Sequence, residues 1–252
     1  MFSRIAENYR GSNVVIIGAG GIGRAILDQV ASHAANVLIA DYSDAALQDL
    51  PAQAGTAKIH TQVLNVRDAE AVSRFFRELP PSFVTPHFVF YTAGVLNIES
   101  FADTSPEIWN KAVEINLNGA FYTAQAAAEL MKPQRRGSIL ILSSIAGTKA
   151  RSGSRVNPVY NATKAALVAF VNAAAMQLRS HGIRINSISP GPTATAMMNI
   201  QPPQVHAAVS EVTLDNRMNN PSEVAELATF IAAHGRFTGE DLGMGGGAGL
   251  GG

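Results

Sequence analysis

The chain has 252 residues, 47% of them hydrophobic and 15% charged, with 19 Lys and Arg balancing 19 Asp and Glu. That length and composition fit one sizeable core and exclude a disordered chain, and the even charge removes the electrostatic ground for nucleic acid or an anionic membrane as partner. There is no cysteine, which excludes disulfide scaffolds, thiol nucleophiles and cysteine-ligated zinc, and no run of about 18 uncharged apolar residues offers a membrane span.

In chain order, short β-branched runs alternate with longer Ala-rich stretches. Residues 1–10 are polar and lack the apolar stretch of a secretory signal, so a cytoplasmic location is expected. Residues 14–17 read as a strand and 22–34 as a helix; strands at 37–40 and 58–63 precede a helix at 69–79. A strand at 88–91, a long helix at 106–131, a strand at 138–142, a helix at 159–180, a strand at 183–188 and a helix at 221–233 follow. Buried runs bounded by turns, with helices between them, predict an α/β fold: a single doubly wound Rossmann-type domain over 1–252, its parallel sheet covered on both faces. Residues 193–220, with Pro202, Pro203, Met197 and Met198, read as a lid loop over a substrate. The glycine-rich tail, 243–252, follows a possible last short strand at 241–244.

The first strand runs directly into Gly18-Ala19-Gly20-Gly21-Ile22-Gly23, a G-x-G-x-x-G turn that opens a helix. Gly18 permits the tight turn, Gly20 lets backbone approach a pyrophosphate, and Gly23 lets helix and strand pack closely; Gly21 and Ile22 complete the cradle at the positive helix end. Asp41 ends the second strand about 20 residues on, where a carboxylate accepts hydrogen bonds from the adenosine ribose and repels a 2′-phosphate. No Lys or Arg lies in 42–50 or in the turn before Gly23, so NAD is expected rather than NADP.

Tyr160 and Lys164 stand four apart in Tyr160-Asn161-Ala162-Thr163-Lys164, on one face of a helix. An ammonium beside a phenol favours phenolate, and a tyrosine so tuned exchanges a proton with an alcohol or carbonyl oxygen. The six histidines show no paired ligand spacing, so no metal site is expected.

Taken with the glycine turn, Asn116 in Ile115-Asn116-Leu117-Asn118-Gly119, Ser143-Ser144-Ile145-Ala146-Gly147, Tyr160/Lys164 and Ser189-Pro190-Gly191 occur in the order and rough spacing of the short-chain dehydrogenases. The chain resembles that family in its compact form, from Val14 to Leu242. The resemblance implies that Tyr160 is the general acid/base, that Lys164 lowers its pKa and holds the nicotinamide ribose, and that Ser144 binds the substrate oxygen. It implies that Asn116 anchors a water linking Lys164 to solvent, and that Pro190, Gly191, Thr193 and Thr195 contact the nicotinamide and pyrophosphate. Asn65, Val66, Ala93 and Gly94 complete the implied cofactor site. Assembly as a homodimer or homotetramer is implied as well.

Four departures stand out. The glycine turn is one residue shorter than the family's common form, Thr92 replaces an asparagine before Ala93-Gly94, Asn65 replaces an aspartate at the adenine, and the interval from Ser144 to Tyr160 is long. That interval, 148–157, carries Lys149, Arg151 and Arg155 and no acid; Arg151 or Arg155 would bind an anionic part of the substrate, unless the loop is simply solvated or a subunit contact. Val95, Leu96, Met197 and Met198 are expected as apolar pocket walls, with core packing as the other reading for the methionines. Hydride transfer between nicotinamide and a small secondary alcohol or ketone is the leading function. An NADP-dependent acyl-thioester ketoreductase and a dinucleotide sensor without turnover are the alternatives.

Overall fold

The computed structural model describes residues 7–148, 158–200 and 213–248. Its strands are β1 (Asn13–Ile17), β2 (Asn36–Asp41), β3 (Gln53–Ala54), β4 (Ala57–Val63), β5 (Phe88–Tyr91), β6 (Gly137–Leu142), β7 (Ile183–Pro190) and β8 (Asp241–Met244). They form one sheet in the order β3-β4-β2-β1-β5-β6-β7-β8. Every neighbouring pair is parallel except β3 with β4, a two-residue antiparallel edge too short to show in the sequence.

The helices are α1 (Gly21–Ala31), α2 (Ala45–Gln48), α3 (Ala69–Arg77), α4 (Pro106–Ala112), α5 (Gly119–Met131), α6 (Ile145–Thr148), α7 (Pro158–Leu178), α8 (Ala196–Asn199) and α9 (Pro221–Ala233). Local chemistry sets several starts. Asp68 accepts from the Glu70 and Ala71 N–H groups at α3, and Ser105 accepts from Ile108 N–H with Pro106 opening α4. The long helix expected at 106–131 is interrupted: Val113–Asn118 forms a π-helical turn between α4 and α5. The first helix also stops earlier than expected, at Ala31.

The strand pleat explains how one sheet feeds two cores. Val14, Ile16, Val37 and Ile39 face α1 and α9 on one side, while Val15, Ile17 and Leu38 face α3, α5 and α7 on the other. The four apolar β1 residues are at most 1% exposed, and each contributes about 2 kcal/mol on burial. Strand order turns back between β1, which pairs β2 on one flank, and β5 on the other. At such a switch point the connections diverge and leave a crevice beyond the carboxyl ends of the strands. The register places Ile17 beside both Ala40 and Tyr91, so the glycine turn, Asp41 and Thr92 share that edge.

Candidate active site

The glycine turn is built on two close approaches. Gly18 has φ +110, and a Cβ there would lie 2.7 Å from Ala93 N; a Cβ on Gly23 would run into the Gly18 carbonyl. Nothing lies within 4 Å of a Cβ at Gly20, and the Gly21 position lies 3.2 Å from Thr195 Cγ2 and 3.5 Å from Pro221 Cγ, with Ile22 half-buried beside it. Thr195 and Pro221 thus face the turn across the crevice. Asp41 closes the other side, accepting from Ala19 N–H at 2.7 Å and Ser43 N–H at 2.9 Å. Exposed glycine backbone at a helix start, with a carboxylate beside it, fits the phosphates and ribose of a dinucleotide.

At the end of β5 the Thr92 hydroxyl lies 3.1 Å from the Ile17 carbonyl and 3.0 Å from the Gly18 carbonyl. It bridges β5 to the glycine turn, so the departure from asparagine leaves a strand-to-turn link in place. Asn116, 0% exposed, sits in the π turn. Its Oδ1 accepts from Val95 N–H at 2.8 Å, and its Nδ2 donates to the Val95 carbonyl at 3.1 Å and to Thr163 Oγ1 at 3.2 Å. One extra residue in the helix is what turns this amide inward, against the loop after Gly94. A point one carbon out from Gly94 lies 3.2 Å from Asn116 Oδ1 and 3.6 Å from Lys164 Nζ, so both groups flank one small space.

Two adjacent serines end β6 with opposite fates. Ser143 is buried and donates to the Lys164 carbonyl at 2.8 Å, locking the strand to α7. Ser144 accepts from Ala146 N–H at 3.2 Å and hydrogen-bonds the Tyr160 oxygen. Lys164, 4% exposed, donates to the Leu142 carbonyl at 2.8 Å and stands 5.7 Å from the centre of the Tyr160 ring. Burial pushes the Tyr160 phenol above its ordinary value, with Ser144 pulling the other way, and burial brings Lys164 down to about 8. The expected lowering of Tyr160 by Lys164 is not among the causes acting on it here: desolvation dominates at both groups and penalises both charged forms.

The remaining expected residues divide by position. Pro190 ends β7 and Gly191 follows it, its N–H donating to the Met244 carbonyl; Thr193 donates to the Gly191 carbonyl at 3.0 Å. Val66 is buried and Asn65 exposed, its Oδ1 accepting from Arg67 N–H. Ala93, Val95 and Leu96 are half-buried. Met197 is 38% exposed on α8 and Met198 half-buried, so neither belongs to the core. Lys149, Arg151 and Arg155 lie outside the described residues, as do 201–212 of the lid and 249–252 of the tail. Sequence reasoning missed Thr163, although its position three residues after Tyr160 was the available signal; it also missed Arg24, which touches the glycine turn, and Asp241, which accepts from the Ser187 and Ser189 hydroxyls beneath Pro190. Among the described residues no cluster of three or more His, Asp or Glu is placed to hold a metal, and no helix is long and apolar enough to cross a membrane.

A glycine-lined crevice together with a Ser–Tyr–Lys constellation is the arrangement that hydride transfer to or from a bound nicotinamide requires. The family described as enoyl-(acyl carrier protein) reductase matches residues 17–248. A (3R)-3-hydroxyacyl-CoA dehydrogenase of Rattus norvegicus is 32% identical over 252 residues, covering 94% of this chain and 96% of the relative. A crystal structure of a short-chain type dehydrogenase/reductase from Mycobacterium marinum superposes with TM-score 0.88 at 28% identity, over 96% of this chain and 97% of that one. A 3-oxoacyl-[acyl-carrier protein] reductase with bound NAD, from Brucella melitensis, superposes with TM-score 0.83 at 29% identity, over 98% and 94%. The chain belongs to the short-chain dehydrogenase/reductase family. It is an oxidoreductase that moves a hydride between a nicotinamide cofactor and a secondary alcohol or ketone.

Proposed function

We propose that the chain is an NAD-dependent enzyme in which Tyr160 is the general acid/base. The observation that carries this reading is the Tyr160–Ser144 hydrogen bond with the Lys164 ammonium 5.7 Å from the ring and beside Gly94, two residues past the Thr92 hydroxyl that bonds the Gly18 carbonyl. A bound nicotinamide supplies the hydride donor or acceptor. Ser144 holds the substrate oxygen where negative charge develops. In reduction the Tyr160 hydroxyl gives that oxygen its proton; in oxidation the phenolate removes it. Lys164 holds the nicotinamide ribose and steadies the phenolate, and proton exchange with solvent runs through the space it shares with Asn116 beside Gly94. Asp41 favours NAD, with Gly18, Gly20, Gly21, Ile22, Gly23, Asn65, Val66, Ala93, Gly94, Pro190, Gly191, Thr193 and Thr195 lining the dinucleotide. Exposed Phe121 on α5 and Met176 on α7 support assembly as a homodimer or homotetramer, in the cytoplasm.

A second reading, supported by the names of the rat and Brucella relatives, makes the substrate a 3-hydroxyacyl or 3-oxoacyl thioester. Arg151 and Arg155 would then meet its anionic carrier, and Met197 its acyl part. The test is turnover of 3-hydroxyacyl-CoA and of uncharged secondary alcohols with NAD, by wild type and Tyr160→Phe. The variant should bind NADH as wild type does and lose roughly 10²–10⁴ in kcat. Full turnover by Tyr160→Phe refutes the assignment, and a preference for uncharged alcohols removes the thioester reading.

A further inference from the structure

Arg24 follows the glycine turn immediately and reaches back over it from α1. Its Nε donates to the Ala19 carbonyl at 3.1 Å and its Nη2 to the Ala46 carbonyl at 2.8 Å, with Asp49 4.0 Å away. On the other flank of the same residue, Ala19 N–H donates to Asp41 Oδ2, while Ser43 N–H donates to Oδ1. The peptide groups on both sides of Ala19 are therefore tied, one to a carboxylate and one to a guanidinium. One tie leads to the last residue of β2 and the other to Ala46 in α2. Gly18 and Gly20 give the turn no side chains to fix it, so these bonds set where its backbone lies. Each Asp41 oxygen has one main-chain donor and keeps the capacity to accept another.

We propose that Arg24 is a positioning residue for cofactor discrimination: by spanning Ala19 and Ala46 it holds the Asp41 carboxylate at the aim that accepts two ribose hydroxyls and repels a 2′-phosphate. This rests on the NAD reading above. The guanidinium is suited to the task because two of its donors, fixed in one plane, reach two carbonyls at once; the single nitrogen of a lysine is a point donor. Two of the guanidinium's five N–H groups are engaged on those carbonyls, which fixes its plane against the turn.

The experiment is fluorescence titration of wild type, Arg24→Ala, Arg24→Lys and Asp49→Ala with NADH and with NADPH, accompanied by thermal melts without cofactor. Arg24→Ala and Arg24→Lys should each weaken NADH roughly tenfold, the scale of one lost charge-assisted hydrogen bond, and NADPH much less, so that the preference narrows. Asp49→Ala should match wild type. Equal weakening of both cofactors with a lowered melting temperature would show a merely structural role and overturn the proposal. So would a larger loss for NADPH, which would make Arg24 a phosphate ligand. A wild type that prefers NADPH overturns the NAD reading itself, whereas a preference for NADH that Arg24→Ala leaves unchanged overturns this proposal alone.

Discussion

Replacing Lys164 with Met separates what the site needs for chemistry from what the fold would prefer. Lys164 is 4% exposed and its pKa is brought from 10.5 to about 8 by burial. A depression of that size means that holding the ammonium in the folded chain at neutral pH costs about 3 kcal/mol. Methionine removes that cost and fills the same volume, but leaves the Leu142 carbonyl without its donor, which returns about 1–2 kcal/mol. The variant should thus be more stable than wild type by about 1–2 kcal/mol at pH 7, a rise of roughly 3–6 °C in Tm for a chain of this size, while losing turnover. The pH dependence carries the sign. Between the folded value near 8 and the unfolded value of 10.5 the unfolded chain binds more protons, so wild-type stability rises with pH across that window relative to the variant. Denaturant unfolding of both proteins from pH 7 to pH 11 reads this directly. A variant less stable than wild type at pH 7, with a difference that stays flat through the window, would refute the reasoning.

Ser144→Ala should cost about a hundredfold in kcat by removing a donor to the substrate oxygen. Because Ser144 pulls the Tyr160 pKa down, the rising limb of alcohol oxidation should also move to higher pH, which a pH–rate profile checks. Thr163→Val leaves one Asn116 N–H buried without an acceptor and should lower stability by about 2 kcal/mol in denaturant unfolding. Two glycines of the turn should part company: Gly23→Ala, whose methyl meets the Gly18 carbonyl, should destabilise the fold by about 3 kcal/mol and abolish NADH binding. Gly20→Ala, with open space around it, should melt as wild type does and still weaken NADH, as calorimetry beside cofactor titration would show.

The sheet was legible because its central strands, β1, β2, β5 and β6, are buried on both faces and so read as apolar runs, as Val14–Val15–Ile16–Ile17 does. The order in which glycine turn, serine pair and Tyr–Lys pair follow one another carried the site. Features that depend on through-space neighbours were not legible. The π turn at Val113–Asn118 has ordinary helical composition, and only the inward demand of Asn116 for Val95 and Thr163 distinguishes it. The upward push that burial gives Tyr160 was not legible for a related reason: spacing places an ammonium on the same face but says nothing of how far both groups are desolvated. Nothing in the sequence sets Arg24 apart within its helix; its role depends on reaching the Ala19 and Ala46 carbonyls through space. The edge strand β3, two residues long, has no periodicity to detect.

The most direct test of the account is titration of the wild-type protein with NADH and NADPH side by side, followed by the same titration of Asp41→Ser. The account predicts that wild type binds NADH more tightly, and that the substitution weakens NADH and admits NADPH. Tighter binding of NADPH by wild type would contradict the role given to Asp41, and binding of neither would contradict the crevice itself.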